Sequence, residues 1–190
     1  EGFEVGLDWQ PSRDAVLSLT AFDNRVKNAI ANVTLQPNLR QRQNLPAIDA
    51  QGIEGALVLN FGAVSLDASL AYTEATIDGE GASTALDGNR PPQTPKFSGS
   101  ATLAWEPVEG VRLAGTLRHV GAQFEDDQET DRLPAATTLN LFAQMPLNNE
   151  ISLIARAENV LDETIVTRNA RGAIDLGVPR TIWFGVRIGL

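Results

Sequence analysis

The chain has 190 residues, of which 43% are hydrophobic and 21% charged, and its formal net charge is -9 at pH 7. The acidic balance excludes nucleic acid as an expected partner, because phosphate contacts need clustered Lys and Arg. No cysteine is present, which excludes a disulfide framework and thiolate metal sites. No apolar run approaches the roughly 18 residues of a membrane-spanning helix, so a membrane protein with this sequence would have to be a β-barrel.

Apolar residues alternate with polar or small ones along almost the whole chain. This period of two is typical of β-strands whose two faces meet different surroundings. The pattern predicts nine strands, at 2–10, 15–28, 48–61, 64–78, 96–105, 111–124, 136–145, 151–160 and 181–190. Almost no helix is expected, because no segment has a sustained helical period. The predicted fold class is all-β, an antiparallel meander.

Short and long connections alternate between these strands. The short ones are PSRD, GA, EPVEG and PLNNE, which are rich in turn-forming residues. The long ones are ANVTLQPNLRQRQNLPA, GEGASTALDGNRPPQTP, DDQETDRLPA and DETIVTRNARGAIDLGVPR. All short turns should therefore lie at one end of the sheet. Short periplasmic turns and long extracellular loops are typical of a transmembrane β-barrel of the outer membrane.

The run of apolar positions on one face of the predicted sheet contains no charge; Asp23, Glu74 and His119 share its parity, but each follows the last apolar residue of its strand on the long-loop side. A basic residue facing lipid costs about 2–4 kcal/mol at the bilayer midplane, so a face without charge is what lipid contact requires. The opposite face holds the charged candidates for the barrel lumen, which are Arg112, Arg118, Arg156, Glu158, Arg187, Glu54 and Asp67. We expect these arginines to pair with the carboxylates; the alternative is a basic wall that contacts another domain or an anionic ligand.

Aromatic residues mark both ends of the uncharged face. Trp9, Phe61 and Trp105 stand at the short-turn ends of their strands, and Phe3, Tyr72 and Phe97 stand toward the long-loop ends. Two such rows are typical of the interfaces of a membrane barrel. The alternative fold is a soluble β-sandwich binding module, whose inner faces also alternate and which would bury Leu141 in its core.

The number of strands predicts an incomplete barrel. The first and ninth strands run in the same direction, so the two ends of the chain would lie on opposite sides of the membrane. Complete bacterial barrels have an even strand number. We therefore expect residues 1–190 to be the C-terminal portion of a larger barrel, without its N-terminal strands and any preceding domain.

Several segments resemble the C-terminal barrel of TonB-dependent outer-membrane receptors. They are EVGLDWQP with LSLTAFDNRVKNAI, NLPAIDAQGIEGAL, GNRPPQTPKFSGSATLAWEP, ARAENVLDETI and GVPRTIWFGVRIGL, in family order. The resemblance implies a barrel of about 22 strands in the bacterial outer membrane, closed by an N-terminal plug domain. It further implies import of a scarce nutrient such as a ferric siderophore, haem, cobalamin or a glycan.

The same resemblance implies the partners. These are outer-membrane lipid, the plug and N-terminal strands, and the TonB complex through an N-terminal segment, whereas the small-molecule ligand stays unknown. The last strand would be the signal for the barrel-insertion machinery, with its apolar spacing in Ile182, Phe184, Val186, Ile188 and Leu190. The family usually ends in Phe, so Leu190 departs from its pattern.

No catalytic constellation or cofactor motif is present, so an enzyme is not expected. A hydrolase or metal site at His119 and the acidic run 125–131 would need more ligands or a nucleophile, and we expect solvated side chains instead. Asn159 to Asp162 should close the outer end of strand eight rather than contact ligand. Any ligand contacts are expected in loops 79–95, 125–134 and 162–180.

Overall fold

The computed structural model describes residues 1–36 and 39–189. Its strands, in chain order, are β1 (Gly2–Ser12), β2 (Ala15–Gln36), β3 (Leu39–Phe61), β4 (Val64–Asp78), β5 (Phe97–Trp105), β6 (Arg112–Val120), β7 (Gln123–Phe124), β8 (Arg132–Leu133), β9 (Ala136–Pro146), β10 (Ile151–Glu158), β11 (Val166–Ala170), β12 (Ala173–Leu176) and β13 (Thr181–Ile188). A 3₁₀ helix spans Gly81–Leu86. No helix in this part of the chain is long and apolar enough to cross a membrane.

Nine of these strands form one antiparallel sheet in the order β1-β2-β3-β4-β5-β6-β9-β10-β13. The remaining strands form two small hairpins, β7–β8 and β11–β12, inside long connections. The prediction of an antiparallel all-β meander is therefore confirmed, and the nine strands of the sheet are the nine that were predicted.

Strands β2 and β3 are longer than predicted. Residues 29–36 and 39–47, which were assigned to a loop, continue as strands. Pro46 lies within this extension, although proline cannot donate a ladder hydrogen bond. The ladder skips this position: Lys27 pairs with Ala47 and Ala29 with Leu45, while Asn28 across from Pro46 has a φ of 54°.

The sixth strand is shorter than predicted. Strand β6 ends at Val120, where the next backbone N–H, that of Gly121, donates to the carbonyl of Phe97. The following residues, Gln123 and Phe124, pair with β8 instead of continuing along β5.

Within residues 1–36 and 39–189, no second layer covers the apolar face of the sheet. One row across the sheet is Leu59, Leu66, Leu103, Gly115, Leu141, Ala157 and Ile182. Leu103 is 55% exposed and Leu141 is 45% exposed. A β-sandwich would bury such residues between two sheets, so the sandwich interpretation is wrong.

The buried core lies at the long-loop end of the molecule. Val33, Leu45, Ile77 and Leu86 form one cluster, against which Ala31 and Ile48 pack. These residues come from β2, β3, β4 and the 3₁₀ helix. The loops at this end therefore form a packed layer instead of a set of separate loops.

Candidate functional site: the polar face and the loop assembly

The polarity of the two faces of the sheet is exchanged at one row of paired residues, so that beyond this row the apolar face becomes charged and the polar face becomes apolar. On the apolar face this row contains Val5, Ala21, Ile53, Tyr72 and Phe97. We call the rows from Phe61–Val64–Trp105 up to this row the apolar band. The part of β2, β3 and β4 beyond it, together with connections 79–96, 121–135 and 159–180, is called the loop assembly.

Charged residues replace apolar ones on this face within the loop assembly. Arg25 donates from Nη1 to Asp49 Oδ2 at 2.6 Å and from Nη2 to Asp78. Lys96 Nζ lies 2.8 Å from Glu74 Oε1. On the opposite face, polar residues give way to Ile48 and Ile77, which belong to the buried core.

Four of the five predicted interface aromatics lie at the two ends of the apolar band. Phe61 and Trp105 share a row through Val64, and Tyr72 is paired directly with Phe97. Trp9 is the exception: its row continues through Leu17 and Leu57 to Ala68, which lies midway between Val64 and Tyr72 along β4. All five side chains are exposed on the apolar face. Their role at a membrane interface stays a prediction.

The register places all seven charged lumen candidates on the polar face. Arg112 Nη1 contacts Glu106 Oε1 at 2.6 Å, and the Arg156 guanidinium lies 5.7 Å from the Phe142 ring centroid. The ion pairs expected for the other arginines are not found. Among the described residues, no carboxylate lies within 4.0 Å of the charged nitrogens of Arg118, Arg156 or Arg187. The expected partners Glu54, Asp67 and Glu158 therefore form no ion pair with them. The sequence fixes the face of each side chain, but not which charges meet along tilted strands.

The terminal strand exposes its apolar side chains. Ile182, Phe184, Val186 and Ile188 lie on the apolar face, and Phe184 is 84% exposed. Leu190, the last member of the predicted insertion signal, lies outside the described residues.

The acidic run 125–131 is built into the loop assembly. Asp127 is 3% exposed, and its carboxylate accepts hydrogen bonds from Thr34 N at 2.8 Å and from Thr34 Oγ1 at 2.7 Å. Asn89 Nδ2 donates to the Asp127 carbonyl at 3.0 Å. The expectation of solvated charge in this run is therefore wrong for Asp127, which joins the loop to β2 and to connection 79–96.

Asp126 closes its own turn. Its carboxylate accepts hydrogen bonds from Thr130 N and Thr130 Oγ1, at 2.9 and 2.6 Å, and from Asp131 N at 2.8 Å. Burial raises the pKa of Asp126, but hydrogen bonds from Thr130 and from the Asp131 backbone outweigh it and leave the pKa below its ordinary value. The carboxylate is therefore ionised in the folded loop.

The loop assembly encloses a cavity of about 380 Å³. Its apolar wall includes Ile48, Leu86 and Pro91, and its acidic side includes Glu125 and Asp126. Two of the loops that were predicted to contact ligand, 79–95 and 125–134, contribute to it. A second cavity, of about 500 Å³, lies along the polar face beside Glu54 and Arg118.

The side chain of His119 contacts Thr137 and Phe97, and no contact with a described residue of the acidic run 125–131 is formed. Its Nδ1 lies 2.8 Å from Thr137 Oγ1, and its ring centroid lies 5.8 Å from that of Phe97. Among the described residues, no group of three or more His, Cys, Asp or Glu side chains could hold a metal ion.

Comparison with known proteins identifies the family. The model of the TonB dependent receptor-like β-barrel family matches residues 1–160. The chain belongs to this family. The ferrioxamine receptor of Yersinia enterocolitica is 27% identical over 139 residues, which make up 72% of this chain and 19% of that receptor.

Solved structures of siderophore receptors share the fold. The ferric yersiniabactin uptake receptor FyuA of Yersinia pestis matches with a TM-score of 0.83 and 17% identity over 98% of this chain and 29% of that chain. The siderophore receptor PiuA of Acinetobacter baumannii matches with a TM-score of 0.82 and 16% identity over 98% of this chain and 28% of that chain. This chain thus spans less than a third of the length of either receptor.

The Asn159–Asp162 motif of this TonB-dependent receptor chain has the structural role predicted for it. Asn159 is 3% exposed with a φ of 48°, and its Nδ2 donates to the carbonyls of Glu163 and Val178 at 2.9 and 3.1 Å. Asp162 accepts a 3.2 Å hydrogen bond from Arg180 Nη2. Both ends of loop 162–180 are therefore fastened at the end of β10.

Sequence reasoning missed Asp126 and Asp127 as residues that hold the loop assembly of this TonB-dependent receptor chain together. Thr130 and Asp131 follow Asp126 at the spacing of a carboxylate-capped turn, which was a readable signal. The partner of Asp127 is 93 residues away in sequence, so no local pattern could have revealed it. Trp183 lies on the polar face, across from Arg156, and is 57% exposed there.

Proposed function

We propose that this chain forms wall and extracellular loops of an outer-membrane receptor that imports a ferric siderophore or a similar chelate by TonB-dependent active transport. The observation that carries the proposal is the exchange of face character at the Tyr72–Phe97 row. A face that is apolar and uncovered below this row, and charged above it, fits a boundary between hydrocarbon and polar headgroups.

The height of the apolar band supports a membrane location. Eight residues separate Val64 from Tyr72 along β4, which is about 26 Å at 3.3 Å per residue. A strand tilt of about 40° reduces this to about 20 Å along the membrane normal, close to the roughly 25 Å apolar band of outer-membrane barrels. The short turns would then lie in the periplasm and the loop assembly outside the cell.

The loop assembly is the proposed extracellular part of the ligand site. Its cavity of about 380 Å³ combines apolar and acidic walls, which suits a chelate with an organic body. Relatives named as ferrioxamine, yersiniabactin and other siderophore receptors support this ligand class. The plug would occupy the polar face, the TonB complex would act through a segment outside this chain, and the insertion machinery would bind the terminal strand.

The test is uptake of radioactive iron bound to siderophores by cells that carry the full-length gene. Deletion in a strain without other siderophore receptors should abolish uptake of at least one ferric siderophore, and the intact gene should restore it. Dissipating the proton-motive force should stop uptake but leave surface binding intact. Uptake that survives deletion for every chelate tested, or that ignores the uncoupler, overturns the proposal.

A matched pair of variants locates the ligand contacts. Asp127→Ala removes the hydrogen bonds that join loop 121–135 to β2, so it should weaken binding of the ferric siderophore at normal receptor abundance. Asp14→Ala, in the short turn after β1, removes the same charge at the opposite end and should leave binding unchanged. Equal affinities would mean that the loop assembly does not contact ligand.

A further inference from the structure

An aromatic residue stands on the polar face of the terminal strand, where charged and small residues surround it. Trp183 is 57% exposed and lies directly across from Arg156 in the register. On the other side of Arg156 lies Phe142, over whose ring the guanidinium is placed. Tryptophan and arginine are the residues most enriched at the energetic centres of protein interfaces.

The charges of this patch lack partners within the sheet. Among the described residues, no carboxylate lies within 4.0 Å of the guanidinium nitrogens of Arg156 or Arg187. Covering an arginine without supplying an opposite charge is costly. Whatever covers this face should therefore bring carboxylates to both positions.

The face remains open when further strands join the sheet. A strand added beside β13 pairs with its backbone edge, whereas side chains on the polar face stand roughly perpendicular to the sheet. Gly185 separates Trp183 from Arg187 on this face, and a Cβ built at Gly185 would have no heavy atom within 4 Å. A backbone can therefore approach closely between the two side chains.

We propose that Trp183, Arg156 and Arg187 form a docking site for an acidic, extended polypeptide segment of the plug domain. The inference rests on the proposed function, which places that domain against the polar face. Small-molecule sites are concave, whereas these three side chains project from one face of two neighbouring strands, so a polypeptide is the better fit.

The spacing of the two arginines defines the segment. Arg156 lies beside Trp183, which is four residues before Arg187, so the charges are about 13 Å apart along the strand direction. An extended chain places residues i and i+4 on one face at the same separation. The segment should therefore carry two carboxylates four residues apart, with an apolar contact to Trp183 between or beside them.

Zero-length cross-linking in the full-length receptor tests the proposal. Arg156→Lys and Arg187→Lys each supply an amine that a carbodiimide joins to a carboxylate in contact, and within residues 1–190 the other lysines are Lys27 and Lys96. Mass spectrometry should find both positions joined to one plug segment, at acidic residues four apart. Arg13→Lys, in the short turn after β1, should give no such product. Cross-links to unrelated segments, or none from either position, overturn the proposal.

The contribution of the indole is measured in the same assay. Trp183→Ala should lower the cross-linking yield at position 187 about tenfold, as expected for loss of an interface anchor, and Trp183→Phe should retain most of it. Equal yields in both variants would reject Trp183 as the anchor. Iron uptake is measured in parallel: normal uptake without cross-links rejects the docking site alone, and cross-links without any uptake reject the transport function alone.

Discussion

The apolar band and the loop assembly are built from the same strands but satisfy their apolar side chains in different ways. In the band, residues such as Leu103 stand exposed on an open face, whereas in the loop assembly Leu45 and Leu86 are buried by neighbouring loops. The polar groups follow the opposite arrangement, with Arg25, Asp49 and Asp78 on the face that is apolar below. One strand can thus pass through two environments, because its apolar residues move from odd to even positions, or from even to odd, where it leaves the band.

The sharpest way to break this comparison is to remove an apolar side chain from the loop assembly. Leu86→Ala should destabilise the packed loops by about 2–5 kcal/mol, because it leaves a cavity in a closed core. Native-state hydrogen exchange should show faster exchange at Gly88 and Thr34, whose N–H groups are bonded within the assembly. Val108→Ala, at an exposed short turn, is the control. Similar exchange in both variants would contradict a closed core there.

In the apolar band, stability in lipid should depend on the charge of a side chain rather than on its volume. Leu117→Arg should cost about 2–4 kcal/mol in lipid, because an exposed apolar residue midway along the band becomes basic near the bilayer midplane. Thr116→Arg changes the neighbouring residue on the polar face, across from Thr102, and should be nearly neutral. Reversible refolding of the full-length receptor into lipid vesicles measures both. Equal penalties would reverse the assignment of the faces.

Loss of the hydrogen bonds that fasten loop 162–180 at the end of β10 should have an intermediate effect on stability. Asn159→Ala removes hydrogen bonds to the backbone of Glu163 and Val178 and places alanine at a φ of 48°, so we expect a loss of about 1–3 kcal/mol in local stability. Proteolysis of the folded receptor within loop 162–180 should accelerate accordingly. Leu161→Ala changes an exposed neighbour and should leave the cleavage rate unchanged. Cleavage of this control as fast as that of Asn159→Ala would show that the hydrogen bonds of Asn159 do not hold the loop.

The smallest effect should depend on pH. The pKa of Asp126 is lowered in the folded state, so its contribution to loop stability is complete above the ordinary carboxyl pKa of about 4 and is lost as the pH falls through the lower folded value. Pepsin cleavage within 125–134 should rise as the pH falls over that window. Thr130→Ala removes the hydrogen bond from Thr130 Oγ1 to the Asp126 carboxylate and should move the rise toward higher pH; an unmoved profile would show that another group controls the loop.

Much of the wall follows from the sequence because each strand is a local pattern. Alternation located all nine strands of the sheet, and the charge-free parity located the exposed face, including Leu141. The loop assembly was less predictable because its contacts join residues far apart in the chain. Asp127 and Thr34 meet across 93 residues, and the extension of β2 and β3 depends on a pairing that passes Pro46.

The fastening of loop 162–180 at both ends separates the wall from what the loop displays. Asn159 holds the departing chain at Glu163 and Asp162 holds the returning chain at Arg180, so the hairpin β11–β12 can change length or composition without altering how β10 pairs with β13. The same property makes the turn at Gly172 a suitable place for grafting an epitope or an affinity tag.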